Sequence, residues 1–351
     1  MNNSWRCFTS FLVVYLLASC NESQLPAGPE RIVLQGHTMG TIWRVSLAEV
    51  DPSRQKALQI AIQQRLDDDD RQLSTWKSDS VLSRFNQYRG SEPQPVSAEM
   101  ADIVTQALRI GQQTGGAMDI TIGPLVNLWG FGPTRQPLKT PTQLQIDTAR
   151  ALTGPSHLQV VNRADQSYLQ KDLPELYVDL STVGEGFATD HLARLMEQEG
   201  ITNYLVSVGG AVLTRGKNAQ GKAWQVAIQK PTDRENAVQA IVDLQGHGIS
   251  TSGSYRNYYE LDGKRISHVI DPATGRPIQH KLVSATVIAT TALEADGWDT
   301  ALMVSGPERA KALALRNKLA VYLIFKQGDE FTRWMSPQFA AFISSPSRSD
   351  S

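Results

Sequence analysis

Asp262-Gly263 stands between two runs rich in β-formers, 255–261 and 264–270. An Asp-Gly pair in that setting specifies a tight antiparallel hairpin, because a two-residue link cannot carry the long crossover that parallel strands need. Further strand-like runs lie at 204–208, 223–228, 238–244, 283–289 and 320–325, and 31–48 reads as two strands around Gly36-His37-Thr38-Met39-Gly40. Helical periodicity occupies other segments. In 54–73, Leu58, Ile62 and Leu66 recur four apart. Ser97 caps a second helix, with Met100, Val104, Ala107 and Leu108 on one side, that ends at Gly115-Gly116. A third, 185–199, turns Phe187, His191, Leu192, Leu195 and Met196 inward, and a fourth covers 293–304. Hairpins and helices mixed without a regular strand–helix–strand rhythm give an α+β fold, with mixed or antiparallel sheets and packed helices. No Pro- or Ser-rich linker divides 31–343, which reads as one globular domain; 132–143, with Pro133, Pro137 and Pro141, reads as a loop. We find no internal repeat.

The amino terminus stands apart from this fold. Arg6 precedes an apolar run from Phe8 to Ala18, followed by Leu17-Ala18-Ser19-Cys20. A basic start, a short apolar run and small residues at its exit describe a signal peptide over 1–19. The run is shorter than the ~20 residues of a membrane span. Leu-Ala-Ser-Cys resembles the bacterial lipoprotein processing box, which makes Cys20 the expected site of lipidation and 20–30 a tether from membrane to domain. Cys7 leaves with the leader, so the mature domain holds no disulfide and depends on its core, which 351 residues permit. Residues 344–351 read as a frayed tail. With 34 basic and 35 acidic residues, there is no electrostatic case for a nucleic-acid partner.

Chemistry concentrates between Gly248 and Thr300. Asp296, Asp299 and Thr300 line one side of a helix, where like charges repel by a few tenths of a kcal/mol. A hard cation such as Mg2+, which takes oxygen ligands, turns that repulsion into attraction. Gly297 inside the same helix costs ~1 kcal/mol against alanine and marks the close approach of another group. His268 follows Ser267 and precedes the turn-forming Asp271-Pro-Ala-Thr-Gly, which suits the rim of a site.

Other motifs admit two readings each. Asp179-Leu-Ser-Thr182-Val-Gly184-Glu185-Gly186 is either a helix start that holds an anion or a capping box formed by Thr182 and Glu185. Ala117-Met118-Asp119 is a strand entry or part of a site. Trp76 is a stacking platform or, by default, a core aromatic, and Met39 is by default a buried turn methionine. Asp67 to Asp70 reads as a solvated face, since four adjacent aspartates point in four directions. There is no zinc signature, no Walker loop and no Gly-x-Gly-x-x-Gly.

In their order along the chain, Met39-Gly-Thr, Leu-Ser-Thr-Trp76, Gly-Gly-Ala117-Met-Asp119, Asp179-Leu-Ser-Thr-Val-Gly-Glu-Gly, Ser207-Val-Gly-Gly, Ser267-His268-Val-Ile-Asp271-Pro-x-Thr-Gly and Ala295-Asp296-x-x-x-Thr300 resemble the ApbE family, the FAD:protein FMN transferases. The resemblance runs from Gln35 to Gly306. It implies a T-fold-like domain, lipid-anchored at the inner membrane on the periplasmic side. The activity it implies uses Mg2+ and takes FAD as substrate. FMN passes to a threonine or serine hydroxyl of a partner through a phosphoester bond, and AMP is released. The implied acceptors are flavin-carrying subunits of Na+-translocating NADH:quinone reductase and of Rnf-type complexes.

Carried over by position, Met39, Trp76, Ala117, Met118, Asp119, Asp179, Glu185 and Ile270 would contact FAD. Asp296, Asp299, Thr300 and the backbone carbonyl of Thr182 would hold the metal, and His268 would take the acceptor's proton. Two departures stand out: Glu185 occupies a position where many members have lysine, and Trp76 one where many have tyrosine. Rival expectations are an FAD pyrophosphatase that releases free FMN and AMP, and a non-catalytic periplasmic flavin-binding lipoprotein.

Overall fold

Eight strands build the main sheet: β1 (Ile32–Thr38), β2 (Thr41–Leu47), β3 (Tyr204–Val208), β4 (Ala211–Arg215), β5 (Gly248–Gly253), β6 (Leu282–Ala289), β7 (Ala320–Gln327) and β8 (Glu330–Met335). They lie side by side in that order, and every neighbouring pair is antiparallel. The structure, a computed structural model, describes residues 31–231, 238–254, 258–328 and 330–344. The expected leader, Cys20, the tether up to residue 30 and residues 345–351 of the expected tail lie outside the described residues. Ser344 is not frayed: its amide donates to the Ile241 carbonyl at 3.0 Å.

Two predicted turns form as their chemistry requires. Met39 and Gly40 join β1 to β2 with φ of 48° and 77°, and Asp262 and Gly263 join their strands with φ of 50° and 70°. Positive φ at both central residues is the type I′ geometry that matches strand twist.

Helices fill the connections: α1 (Gln55–Leu73), α2 (Val81–Gln87), α3 (Ala98–Gln113), α4 (Gly123–Leu128), α5 (Gln143–Arg150), α6 (Ser181–Gln198), α7 (Ala292–Ser305) and α8 (Pro307–Arg316). α1 packs on β1, α6 on β3 and β4, and α7 on β4, β5 and β6. Side chains alternate across a strand, so β6 and β7 serve two layers. Ala285, Val287, Val321 and Leu323 join the core around α7, while Ile288, Ala320, Tyr322 and Ile324 face the strands Gln225–Gln229 and Val238–Asp243. Burial on both faces is why 320–324 reads as an unbroken apolar run.

Three sequence expectations are corrected. Asp67 to Asp70 is not wholly solvated: Leu58, Ile62, Leu66, Asp69 and Leu73 make one buried stripe of α1, and helical spacing puts Asp69 on it. There its Oδ1 lies 2.7 Å from His191 Nδ1. The helix expected from 185 begins at Ser181, with Leu180 as N-cap and no side-chain cap, so Thr182 and Glu185 form no capping box. The strand expected over 264–270 breaks at His268 into Lys264–Ser267 and Ile270–Asp271. These pieces belong to a satellite built by α4, α5 and the short hairpins around a cluster of Leu125, Trp129, Ile146, Ala149, Ile266 and Ile270.

Candidate active site

α7 is fixed at its start. Asp190, on α6, accepts from the amides of Ala292 and Leu293, both at 2.9 Å, and Thr291 Oγ1 accepts from the Glu294 amide at 3.1 Å. These satisfy N–H groups that a helix start leaves without intrahelical partners. Further along the helix come Asp296, Asp299 and Thr300. Asp296 Oδ2 accepts from the Gly186 amide at 2.8 Å and its Oδ1 from Ser250 Oγ at 3.1 Å. Asp299 Oδ1 accepts from Thr300 Oγ1 at 3.2 Å, while its Oδ2 is buried without a partner among the described residues.

Close packing of α6 against α7 makes this arrangement possible. A Cβ at Gly186 would lie 2.4 Å from the Ala292 carbonyl oxygen and 2.8 Å from Asp296 Cβ. One at Gly297 would lie 2.7 Å from Ile110 Cδ1 and 3.4 Å from both Met118 Sδ and Val183 Cγ1, which confirms the close approach expected there. A regular helix sends the Gly186 amide to the Thr182 carbonyl. That same amide donates to Asp296, so the Asp296 carboxylate of α7 lies against the first turns of α6, which hold Thr182.

Burial pushes Asp296 and Asp299 well above the usual carboxylate range; Glu185 adds to the rise at Asp296, and Asp296 to that at Asp299. Burial also raises Asp190 and Asp119. Taking an ion out of water without a counter-charge costs several kcal/mol, and a proton or a cation relieves it. Among the described residues no three of His, Cys, Asp and Glu converge as a metal cage. Asp296, Asp299 and Thr300 supply two carboxylates and a hydroxyl, all oxygen donors. Mg2+ is commonly held by one or two carboxylates together with water and substrate oxygens, so this donor set and the orphaned Oδ2 fit it.

Around this centre the other predicted residues divide. Asp179 donates its amide to the Ile120 carbonyl at 2.8 Å, and its Oδ1 accepts from the Ser181 amide at 2.9 Å. The 119–122 segment runs beside 177–179 through a parallel bridge between Ile122 and Tyr177. Asp119 accepts from the amide and hydroxyl of Thr121 at 2.7 and 2.6 Å, in a turn and not at a strand entry. Ala117 and Met118 are buried, Met118 in the main core, so only their backbone could meet a ligand. Glu185 Oε2 accepts from the Gly210 amide at 2.7 Å, at the β3–β4 turn. The Gly209 amide next to it donates to Ile42, so the Met39 turn adjoins the same end of the sheet; Met39 itself is half-buried.

Trp76 is 68% exposed, which overturns the core-aromatic default. Its loop is nonetheless held: Ser74 Oγ accepts from the Trp76 amide at 3.2 Å, and the Ser74 carbonyl accepts from the hydroxyls of Ser80 and Ser83 at 2.6 and 3.1 Å. Tyr177, whose phenol meets Thr75 and Asn127, links this loop to Asp179; burial, then the Asp179 charge, raises its pKa.

His268 sits at a seam. Val269 beside it enters the main core, whereas Ile266 and Ile270 enter the satellite cluster. Its half-buried ring meets Phe131 edge-on at 6.3 Å, and the Ile270–Asp271 strand packs on α7. Ile270 is 2% exposed, so it too could offer a ligand only backbone. Three contributors escaped the sequence reading. Ser250 was legible from strand alternation in Gly-Ile-Ser-Thr-Ser-Gly, and Asp190 from its place one helical turn after Gly186. Tyr177 left no local signal.

A model of the ApbE family matches residues 39–323. The chain is 67% identical to the FAD:protein FMN transferase of Salmonella typhimurium over 331 residues, covering 94% of this chain and 95% of that protein. Among solved structures, the flavin transferase ApbE from Vibrio cholerae superposes with a TM-score of 0.82 at 42% identity, covering 90% of this chain and 99% of the other. The apo flavinyl transferase ApbE of Pseudomonas stutzeri superposes with a TM-score of 0.81 at 36% identity, covering 91% and 98%.

Proposed function

Since the chain belongs to the ApbE family and is an FAD:protein FMN transferase, we propose that it moves FMN from FAD to a threonine or serine hydroxyl of an acceptor protein in a Mg2+-dependent reaction. The observation that carries the metal is the partnerless Oδ2 of Asp299 beside Asp296. Asp296, Asp299, Thr300 and the Thr182 carbonyl would hold the ion. Bound Mg2+ supplies charge neutralisation at the diphosphate and at the leaving phosphate.

The chain's own groups do the rest. The uncapped start of α6 presents backbone N–H groups and the positive end of a helix dipole to an anion. The exposed indole of Trp76 gives an aromatic ring of FAD a stacking surface. Asp119 and Asp179 accept from the substrate's hydroxyl or amino groups. Met39, Ala117, Met118 and Ile270 border it. Glu185, where many relatives carry lysine, anchors the Gly210 amide and so shapes the wall of the pocket. His268 takes the proton of the acceptor hydroxyl, the general-base task that histidine most often performs. The acceptor oxygen bonds to the phosphorus of the FMN half, the bridging P–O bond breaks, and AMP leaves with that oxygen.

The setting we propose is the periplasmic face of the inner membrane, reached when residues 1–19 are removed and Cys20 is acylated. The acceptors are flavin-carrying subunits of a Na+-translocating NADH:quinone reductase or an Rnf-type complex. Incubating the full chain with FAD, MgCl2 and the purified reductase subunit, then viewing a denaturing gel under ultraviolet light, tests this. A fluorescent acceptor band supports the transfer. Free FMN and AMP without a band would make the protein a pyrophosphatase, and neither product would make it a flavin binder.

A further inference from the structure

A protein acceptor must lay a segment of its chain against the molecule, close to His268. That histidine directly follows the hairpin of Tyr258–Leu261 and Lys264–Ser267, and its ring meets Phe131, from which the chain runs on through the 132–142 loop into the first turn of α5. Two hydroxyl–carboxylate and amide–carboxylate contacts tie loop to hairpin, since Thr140 donates from its Oγ1 at 2.7 Å and its amide at 3.1 Å to Asp262 Oδ2. Arg276 holds the start of α5 through Gln143 Oε1 at 2.7 Å, and Tyr259 donates its hydroxyl to the Trp129 carbonyl at 2.7 Å while its ring packs at a tilt, 5.2 Å away, on Phe131, the ring that meets His268. Loop and histidine therefore belong to one braced unit.

The outer side of that unit is unlike ordinary surface. Leu138 is 95% exposed and Leu144 77%, the two most exposed large apolar side chains among the described residues. Arg135 and Lys139 flank Leu138 along the loop, and Lys139 and Lys264 both act on Asp262, the residue that ties loop to hairpin; these cations and Arg265, which lies over the Tyr258 ring at 3.5 Å, are all exposed. Within 131–150 and 258–268 the carboxylates are Asp147, Glu260 and Asp262 against five Lys or Arg, and Gln143 and Arg150 engage the first while Thr140 occupies the third. This local basic excess contrasts with a whole-chain charge of −1.

We propose that this face docks the acceptor protein, through an acidic segment that seats an apolar side chain against Leu138 and Leu144. The inference rests on the transfer reaction and on His268 as its base. Charge of opposite sign speeds encounter and sets register, and buried apolar contacts hold the complex. Because the loop holds its own hydrogen bonds, the contact belongs to recognition and is separable from the phosphate chemistry on α7.

The test uses the full chain, FAD, MgCl2 and the reductase subunit, with initial rates of flavinylation measured against acceptor concentration. L138S/L144S and R135E/K139E are compared with the native chain, and FAD affinity is followed by quenching of flavin fluorescence. The expected result is an acceptor KM raised about tenfold in each variant, with kcat and FAD affinity within about twofold of native and a weaker salt dependence in the charge variant. Unchanged KM in both variants, or a fall in kcat at constant KM, overturns the proposal. So does loss of binding to anionic phospholipid vesicles while acceptor KM holds, which would make the face a membrane contact. Absence of transfer by the native chain sinks the reaction itself and is read from a different sample.

Discussion

Replacing Asp299 by asparagine separates two consequences of one carboxylate. Without metal, Oδ2 is buried and partnerless, with Asp296 and then Glu185 acting on the same group. A buried unsatisfied polar group costs about 1–3 kcal/mol, and more when charged. Asparagine keeps the shape, removes the charge and brings an N–H that can donate to a neighbouring carboxylate. D299N should therefore gain roughly 1–2 kcal/mol over the native chain in EDTA at pH 7.5, or about 2–6 °C in Tm. The pH dependence has a definite sign. Folding raises the pKa of Asp296 and Asp299, so the native state binds more protons than the unfolded chain. Metal-free stability must then fall as pH rises from the ordinary carboxylate range toward the raised native values. The advantage of D299N is absent below that range and grows through it. Magnesium reverses the order: a ligand at a hundred times its Kd adds about 2.7 kcal/mol to the native state, and D299N forfeits most of that. Differential scanning calorimetry of both proteins at pH 5 and pH 7.5, in EDTA and in MgCl2, reads all four states. D299N melting below native in EDTA at pH 7.5, or showing an undiminished Mg2+ shift, would refute the reasoning.

Three further outcomes are expected. H268A should bind FAD normally, by fluorescence titration, and transfer FMN about 10²–10⁴ times more slowly, the usual worth of a positioned base; unchanged transfer removes His268 from the reaction. D190A leaves the Ala292 and Leu293 amides without acceptors, which should cost about 1–2 kcal/mol in urea unfolding and weaken Mg2+ binding by calorimetry, because Thr291 alone is then left to hold the start of α7. Native stability in D190A would show that the cap is idle. W76A should raise the Kd for FAD about fivefold to tenfold without moving Tm, as befits an exposed stacking ring worth about 1 kcal/mol; a large drop in Tm would mean the indole packs the core after all.

Much of the fold could be read from local chemistry because the deciding interactions are local. Met39-Gly40 and Asp262-Gly263 form their turns through backbone conformation alone, and the stripe on α1 and the inward face of α6 follow helical spacing. What escaped was set by distant partners. Asp69 looked solvated because its neighbours are aspartates, yet His191, 122 positions away, holds it inside. Thr182 and Glu185 have capping-box spacing, but Glu185 reaches instead to Gly210 across the α6–sheet interface. The break at His268 follows from its two sides serving different cores, which no pattern within 264–270 encodes. The one-sided spacing of Asp296, Asp299 and Thr300 was visible; that Ser250 on β5 and the Gly186 amide on α6 would meet Asp296 was not, because those pairings are long-range.

The placement of the acidic site at the crossing of α6 and α7 has a physical reason. Two buried aspartates on one helix oppose folding unless the same helix contributes enough apolar burial to offset them. α7 does so: Leu293, Ala295, Trp298, Ala301, Leu302 and Met303 are all buried. A fully buried large apolar side chain is worth about 1.5–3 kcal/mol, so Trp298 and Leu302 together contribute about 3–6 kcal/mol, the same order as the several kcal/mol that one unpaired buried carboxylate costs. Gly186 then fixes how deep the carboxylates sit, since any side chain there would push Asp296 and Ala292 away from α6 and open the pair to water. Water would relax the repulsion and remove the driving force for a cation. The glycine, the apolar helix and the raised carboxylates thus form one device that retains an unfavourable charge, which a divalent ion held there, as proposed, would relieve.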